Sequence, residues 1–147
     1  MALDPGTKRI GVALSDEMRW TAQPLETFER RSLEADLAHI KALVERHHVG
    51  LVVVGLPIRL SGEMGPEAAS AQALVTALEQ RLSVPVVAWD ERLTTKAAED
   101  LLIEANVSRK KRKRAVDRVA AALILKSYLE SLSSSHAEPE PEPQSAT

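Results

Sequence analysis

Apolar and polar residues follow two rhythms along this 147-residue chain, one suited to strands and one of period 3.6. Met1-Ala-Leu-Asp4 is a short apolar run stopped by the turn pair Pro5-Gly6. Ile10-Gly-Val-Ala-Leu-Ser15 follows closely enough to pair with it as a hairpin. Pro24 to Phe28 predicts a third short strand. Ser32 is placed as an N-cap, and Leu33, Leu37, Ile40, Val44 and His47 then recur at helical spacing among charged residues. Val49-Gly-Leu-Val-Val-Val-Gly55 is β-branched without alternation, as suits a parallel strand buried on both faces. Gly62 to Gly65 reads as loop. Pro66 suits the first turn of a helix with Leu74, Val75, Leu78 and Leu82 on its buried stripe. Val84-Pro-Val-Val-Ala-Trp89 is a further strand. Thr94 or Thr95 then caps a helix to about Ala105. Ser108 to Arg114 reads as a basic linker. Ala115 to Ser131 reads as a final helix with Val116, Val119, Ala120, Leu123 and Ile124 inward. A hairpin followed by strand–helix alternation argues for an α/β fold, a mixed central sheet flanked by helices.

Beyond residue 132 the pattern stops. Residues 133–147 are rich in Ser, Pro and Glu with almost nothing to bury, and are expected to form a disordered tail behind a single domain of residues 1–132. The formal net charge is −2; without the tail's three glutamates the remainder carries +1, so mean charge says little about partners. The absence of cysteine excludes disulfides, thiolate zinc sites, iron–sulfur ligation and cysteine nucleophiles, and is compatible with a cytoplasmic location. The longest apolar run, Val119 to Leu125, is far short of the roughly 18 residues that span a bilayer, so no membrane partner is expected. With four residues in all of Phe, Trp or Tyr, a platform for stacked bases is not indicated.

Four acidic residues sit where sites form in α/β sheets, outside the carboxyl ends of strands. Asp4 ends the first strand, Asp90 and Glu91 end the Val84 strand, and Asp117 lies near the start of the last helix. Hard oxygen ligands without Cys or well-spaced His suit Mg²⁺ or Mn²⁺. Taken singly, each has a structural explanation: a turn residue before Pro-Gly, the start of a solvated loop, a favourable charge near a helix N-terminus. If their strands are parallel neighbours, Asp4 and Glu91 meet, and Asp117 joins them. The six-residue run Arg109, Lys110, Lys111, Arg112, Lys113 and Arg114 precedes Asp117 directly. Such runs hold phosphate backbones without reading sequence, although many are solvated linkers.

Four segments in order resemble the YqgF/RuvX family of pre-16S rRNA nucleases. They are Leu3-Asp-Pro-Gly-Thr-Lys-Arg-Ile-Gly-Val-Ala-Leu-Ser-Asp16, Val54-Gly-Leu-Pro57 with Ser61-Gly62, Asp90-Glu-Arg-Leu-Thr-Thr95, and Val116-Asp117 before an alanine-rich helix. The resemblance implies a ribonuclease H-like fold related to RuvC Holliday-junction resolvases. It implies Asp4, Glu91 and Asp117 as catalytic and metal-holding residues of a two-ion Mg²⁺ or Mn²⁺ site. Asp90 is the weaker substitute for Glu91, because successive strand residues face opposite ways. Lys8, Arg9 and Arg92 become phosphate contacts beside the basic run. The implied partner is nucleic acid, precursor rRNA first and branched DNA second, bound by a monomer or homodimer. Two other functions stay in view: a four-way-junction resolvase, and a non-catalytic RNA- or ribosome-binding assembly factor.

Overall fold

The computed structural model describes residues 1–18, 21–58, 61–90 and 109–136, with side chains of the last stretch described from 119 to 132. The elements are β1 (Ala2–Pro5), β2 (Arg9–Ser15), β3 (Ala22–Glu29), α1 (Leu33–Arg46), β4 (Val52–Leu56), α2 (Pro66–Arg81), β5 (Val86–Asp90) and α3 (Arg109–His136). The strands form one sheet in the order β3-β2-β1-β4-β5. β1 and β3 both run antiparallel to β2, whereas β4 runs parallel to β1 and to β5. The expected mixed sheet with an N-terminal hairpin is found. The helix expected from Thr94 or Thr95 lies outside the described residues.

The local chemistry explains most boundaries. Pro24 sits in β3 because β3 is the last strand in the sheet order, where its missing N–H leaves fewer ladder bonds unmade; the β2–β3 register shifts beside it, between Val12 and Ala13. Ser32 caps α1 as expected, its hydroxyl accepting from the Ala35 amide at 3.1 Å. Pro66 opens α2. β4 begins at Val52 rather than Val49, because the Val49 amide donates to the Val44 carbonyl and closes the end of α1.

Alternate residues of the strands feed two separate cores. Leu3, Ile10, Val12, Val52, Val54 and Leu56 meet Leu37, Ile40, Leu43, Val44, Leu74, Val75 and Leu78 of α1 and α2. On the other face Ala2, Ala13 and Val53 meet Ala121, Ala122, Ile124 and Leu125 of α3, and Trp89 packs edge-on against Tyr128, with ring centroids 5.4 Å apart.

Four expectations are corrected. The basic run is not a linker. Arg109 to Arg114 is the first turn and a half of α3, because Lys and Arg are good helix formers and neither Gly nor Pro occurs from Ser108 to His136. The same lack of a breaker carries the helix past Ser131 to His136. The buried stripe of α3 is Ala121, Ala122, Ile124 and Leu125, with Val119, Ala120 and Leu123 only half-buried. The small alanines let the helix lie close to the sheet, and the stripe turns accordingly. The stripe of α1 is also turned: Leu33 and His47 are exposed, and Asp36 is buried in their stead. Asp36 faces inward because it accepts hydrogen bonds from the incoming chain at Arg30 and Arg31.

Candidate functional site

β1 is only four residues long, and its alternation decides where chemistry can occur. Leu3 points into the α1/α2 core, so Ala2 and Asp4 face α3. Asp4 pairs with Gly11 on β2. A Cβ at Gly11 would lie 3.7 Å from the Cβ of Asp4 and 3.7 Å from that of Ala121. Gly11 thus leaves a gap between the Asp4 carboxylate and α3 that any side chain would begin to fill. On the other flank Leu3 pairs with Val54, so the next position beside Asp4 is Gly55, which pairs in turn with Trp89. The carboxylate therefore stands between two strands that present no side chain beside it on this face. Asp4 is half-buried and makes no hydrogen bond or ion pair with the described residues. A carboxylate in that position has acceptor capacity left for a cation.

α3 runs antiparallel to β1. Ala121 lies over Gly11, while Leu125, Tyr128 and Leu129 lie toward Met1 and Leu51 at the opposite end. Asp117 belongs to the same helix, four residues before Ala121 and so about 6 Å further along its axis. The basic run continues the same axis, about 10 to 18 Å beyond Ala121, past the carboxyl ends of β1, β4 and β5.

β1 and β5 are not neighbours, since β4 lies between them, and two lanes of a sheet separate strand axes by about 10 Å. Asp4 and the end of β5 thus face each other across Gly55 rather than touching. Trp89 lies on the α3 face, so alternation puts Asp90 on the opposite face with Val86. Asp90 is thereby removed as a substitute for Glu91. Glu91 and Arg92 lie outside the described residues. Lys8, in the β1–β2 turn, and Arg9, the first residue of β2, are exposed, and Arg9 stands opposite Glu29 in the β2–β3 register.

The free acceptor capacity of the Asp4 carboxylate suits a hard divalent cation such as Mg²⁺ or Mn²⁺. Among the described residues no complete group of three metal-ligating side chains occurs, and Asp4 is the one proposed ligand whose side chain is described. A cavity of about 640 Å³ lies elsewhere, between Met1, Leu14, His47, His48, Leu125 and Tyr128 at the amino end of β1, and takes no part in this constellation. The glycines flanking Asp4 and the Arg30–Asp36 pair were not found from the sequence. An isolated Gly inside a strand run, as in Ile-Gly-Val and Val-Gly-Leu, was the available signal for the former.

A family model described as RuvX, Holliday junction resolvase, matches residues 1–131. A protein of Moorella thermoacetica named "Putative pre-16S rRNA nuclease" is 51% identical over 132 residues, covering 90% of this chain and 94% of its own. A protein of Bacillus subtilis with the same name is 48% identical over 134 residues, covering 90% and 97%. Among solved structures, Thermus thermophilus RuvC in complex with Holliday junction substrate superposes with a TM-score of 0.53 at 16% identity, over 88% of this chain and 92% of that one. At that identity the likeness concerns the fold, which is ribonuclease H-like.

Proposed function

This chain belongs to the RuvX family, and from that premise we propose that it is a nuclease hydrolysing phosphodiester bonds in the 5′-end processing of pre-16S rRNA. The observation that carries the reading is Asp4, a half-buried carboxylate without a partner among the described residues, flanked by Gly11 and Gly55 on the face covered by α3. Asp4 and Asp117 would hold Mg²⁺ or Mn²⁺ together with Glu91. Divalent cations held there supply positive charge against the charge that develops on the phosphate, and acidify water.

The chain's own residues do the rest. The β1–β2 pairing fixes the backbone that carries Asp4. Gly11 keeps the space between Asp4 and Ala121 free of a side chain. Lys8 and Arg9, with Arg92 and Arg109 to Arg114, would hold flanking phosphates. α3 carries no acidic residue in its first turn. Six cations at a helix N-terminus oppose the macrodipole, and a polyanion lying there relieves that repulsion. The cytoplasm is the compartment this reading implies.

The experiment offers two labelled substrates, an RNA carrying a ribosomal 5′ leader and a DNA four-way junction. It is run with Mn²⁺, Mg²⁺ or EDTA, and with Asp4→Asn beside the parent. Cutting of the RNA that is lost in EDTA and in the variant supports the proposal. Cutting of the junction alone transfers the same site to a resolvase. Binding of both without cleavage replaces the nuclease by an assembly factor.

A further inference from the structure

The turn that follows Asp4 has little to hold it in place by itself. Gly6, Thr7, Lys8 and Arg9 are all exposed, and the turn closes on one hydrogen bond, from the Gly6 amide to the Arg9 carbonyl at 2.8 Å. Arg30, the first residue after β3, ties it down twice. Its backbone amide donates to the Lys8 carbonyl at 2.8 Å, and its Nη1 donates to the Gly6 carbonyl at 3.1 Å. Arg30 is itself held, because Nε donates to Asp36 Oδ2 at 3.3 Å, while Asp36 Oδ1 accepts from the Arg31 amide at 3.1 Å. Asp36 is 3% exposed and is the one buried charged residue among those described.

Burying a carboxylate at a helix position that could hold an apolar residue gains little for stability, since a hydrophobic replacement of a buried pair is often neutral or better. What the pair does supply is direction. A planar guanidinium donates along two fixed lines, one to Asp36 and one to Gly6, which a lysine ammonium does not. We propose that Arg30 and Asp36 are positioning residues, a latch that holds the β1–β2 turn so that Lys8 and Arg9 grip a substrate phosphate beside Asp4. This rests on the reading of Lys8 and Arg9 as phosphate contacts.

The test measures binding of a short labelled single-stranded RNA across a salt series, with every variant made in the full-length Asp4→Asn protein so that nothing is cut. Lys8→Ala is expected to weaken binding about tenfold and to flatten the slope of log Kd against log salt by about 0.7. Arg30→Ala and Asp36→Ala should each weaken it about as much. Asp36→Ala is decisive, because removing a negative charge would tighten RNA binding through the field alone, whereas loss of the latch loosens it. Combining Asp36→Ala with Lys8→Ala/Arg9→Ala should be no worse than Lys8→Ala/Arg9→Ala alone, since the latch acts only through those two contacts. Arg81→Ala, which removes a cation paired with Glu34 away from the turn, should leave binding within about twofold. If Asp36→Ala proves unstable, Arg30→Ala/Asp36→Ala removes the latch without leaving an unpaired buried charge. Unchanged or tighter binding in Asp36→Ala, or additive losses with Lys8→Ala/Arg9→Ala, overturns the latch while the cleavage assay still judges the nuclease. If Lys8→Ala binds RNA like the parent, the phosphate role of the turn fails and the latch with it.

Discussion

The two faces of the sheet are built from alternate residues of the same strands, yet they differ in kind. The face under α1 and α2 is made of Leu, Ile and Val, fully enclosed by two helices. The face under α3 is made of Ala, Gly and one Val, with an aspartate at its carboxyl end and a Trp–Tyr pair further along. Large aliphatic side chains bury the most area, at about 25 cal/mol per Å². Small ones let a helix come close and leave a polar residue unobstructed. β1 shows the division within four residues, with Leu3 on one face and Ala2 and Asp4 on the other. Stability and chemistry are thus separated by a period-two rule rather than by distance along the chain.

Substitutions on each face test that division. On the α3 face, Asp4→Asn should lower cleavage by at least a factor of about 10²–10³, with an unchanged melting temperature, as read by single-turnover kinetics and thermal unfolding. On the other face the effect should invert. Leu74→Ala empties a site that is wholly enclosed and should cost about 2–5 kcal/mol in urea unfolding, with kcat unchanged wherever the protein is still folded. Loss of cleavage in folded Leu74→Ala would break the separation.

Gly11→Val sharpens the comparison, because it adds bulk at the seam between Asp4 and Ala121. It should cost about 1–3 kcal/mol through displacement of α3, and should also reduce cleavage. A fully active and equally stable variant would show that the gap is not needed.

The smallest effect lies at the far end of β1. The Met1 ammonium donates to the Leu51 carbonyl at 3.0 Å, and burial lowers its pKa from 8.0 to about 6. The unfolded chain therefore binds more protons between these values, so stability should rise with pH across roughly pH 6 to 8, by at most about 2 kcal/mol. Urea unfolding at both ends of that window checks it. Acetylating Met1 should remove this part of the slope, since an amide can still donate to Leu51 but cannot titrate.

Most of the architecture was legible because it is local. Ser32 as a cap, Pro66 at a helix start and the β-branched Val52–Val54 run each announce an element through their own backbone chemistry. The basic run misled because charge was read as solvation, while helix propensity and the lack of breakers pointed the other way. The inward stripes of α1 and α3 were misjudged because spacing predicts that a stripe exists, not which way it turns against a sheet.

The linear order of residues is enough to establish a hairpin followed by strand–helix units, an acidic residue before a Pro-Gly turn, and a cationic block directly ahead of Asp117. Each depends on neighbours within a few positions. Only the folded chain decides that β4 separates β1 from β5, that Gly11 and Gly55 flank Asp4, that Asp90 faces away, and that Asp36 is buried against Arg30. Those facts depend on strand order and register, which are set by which faces can be buried together and not by any one segment.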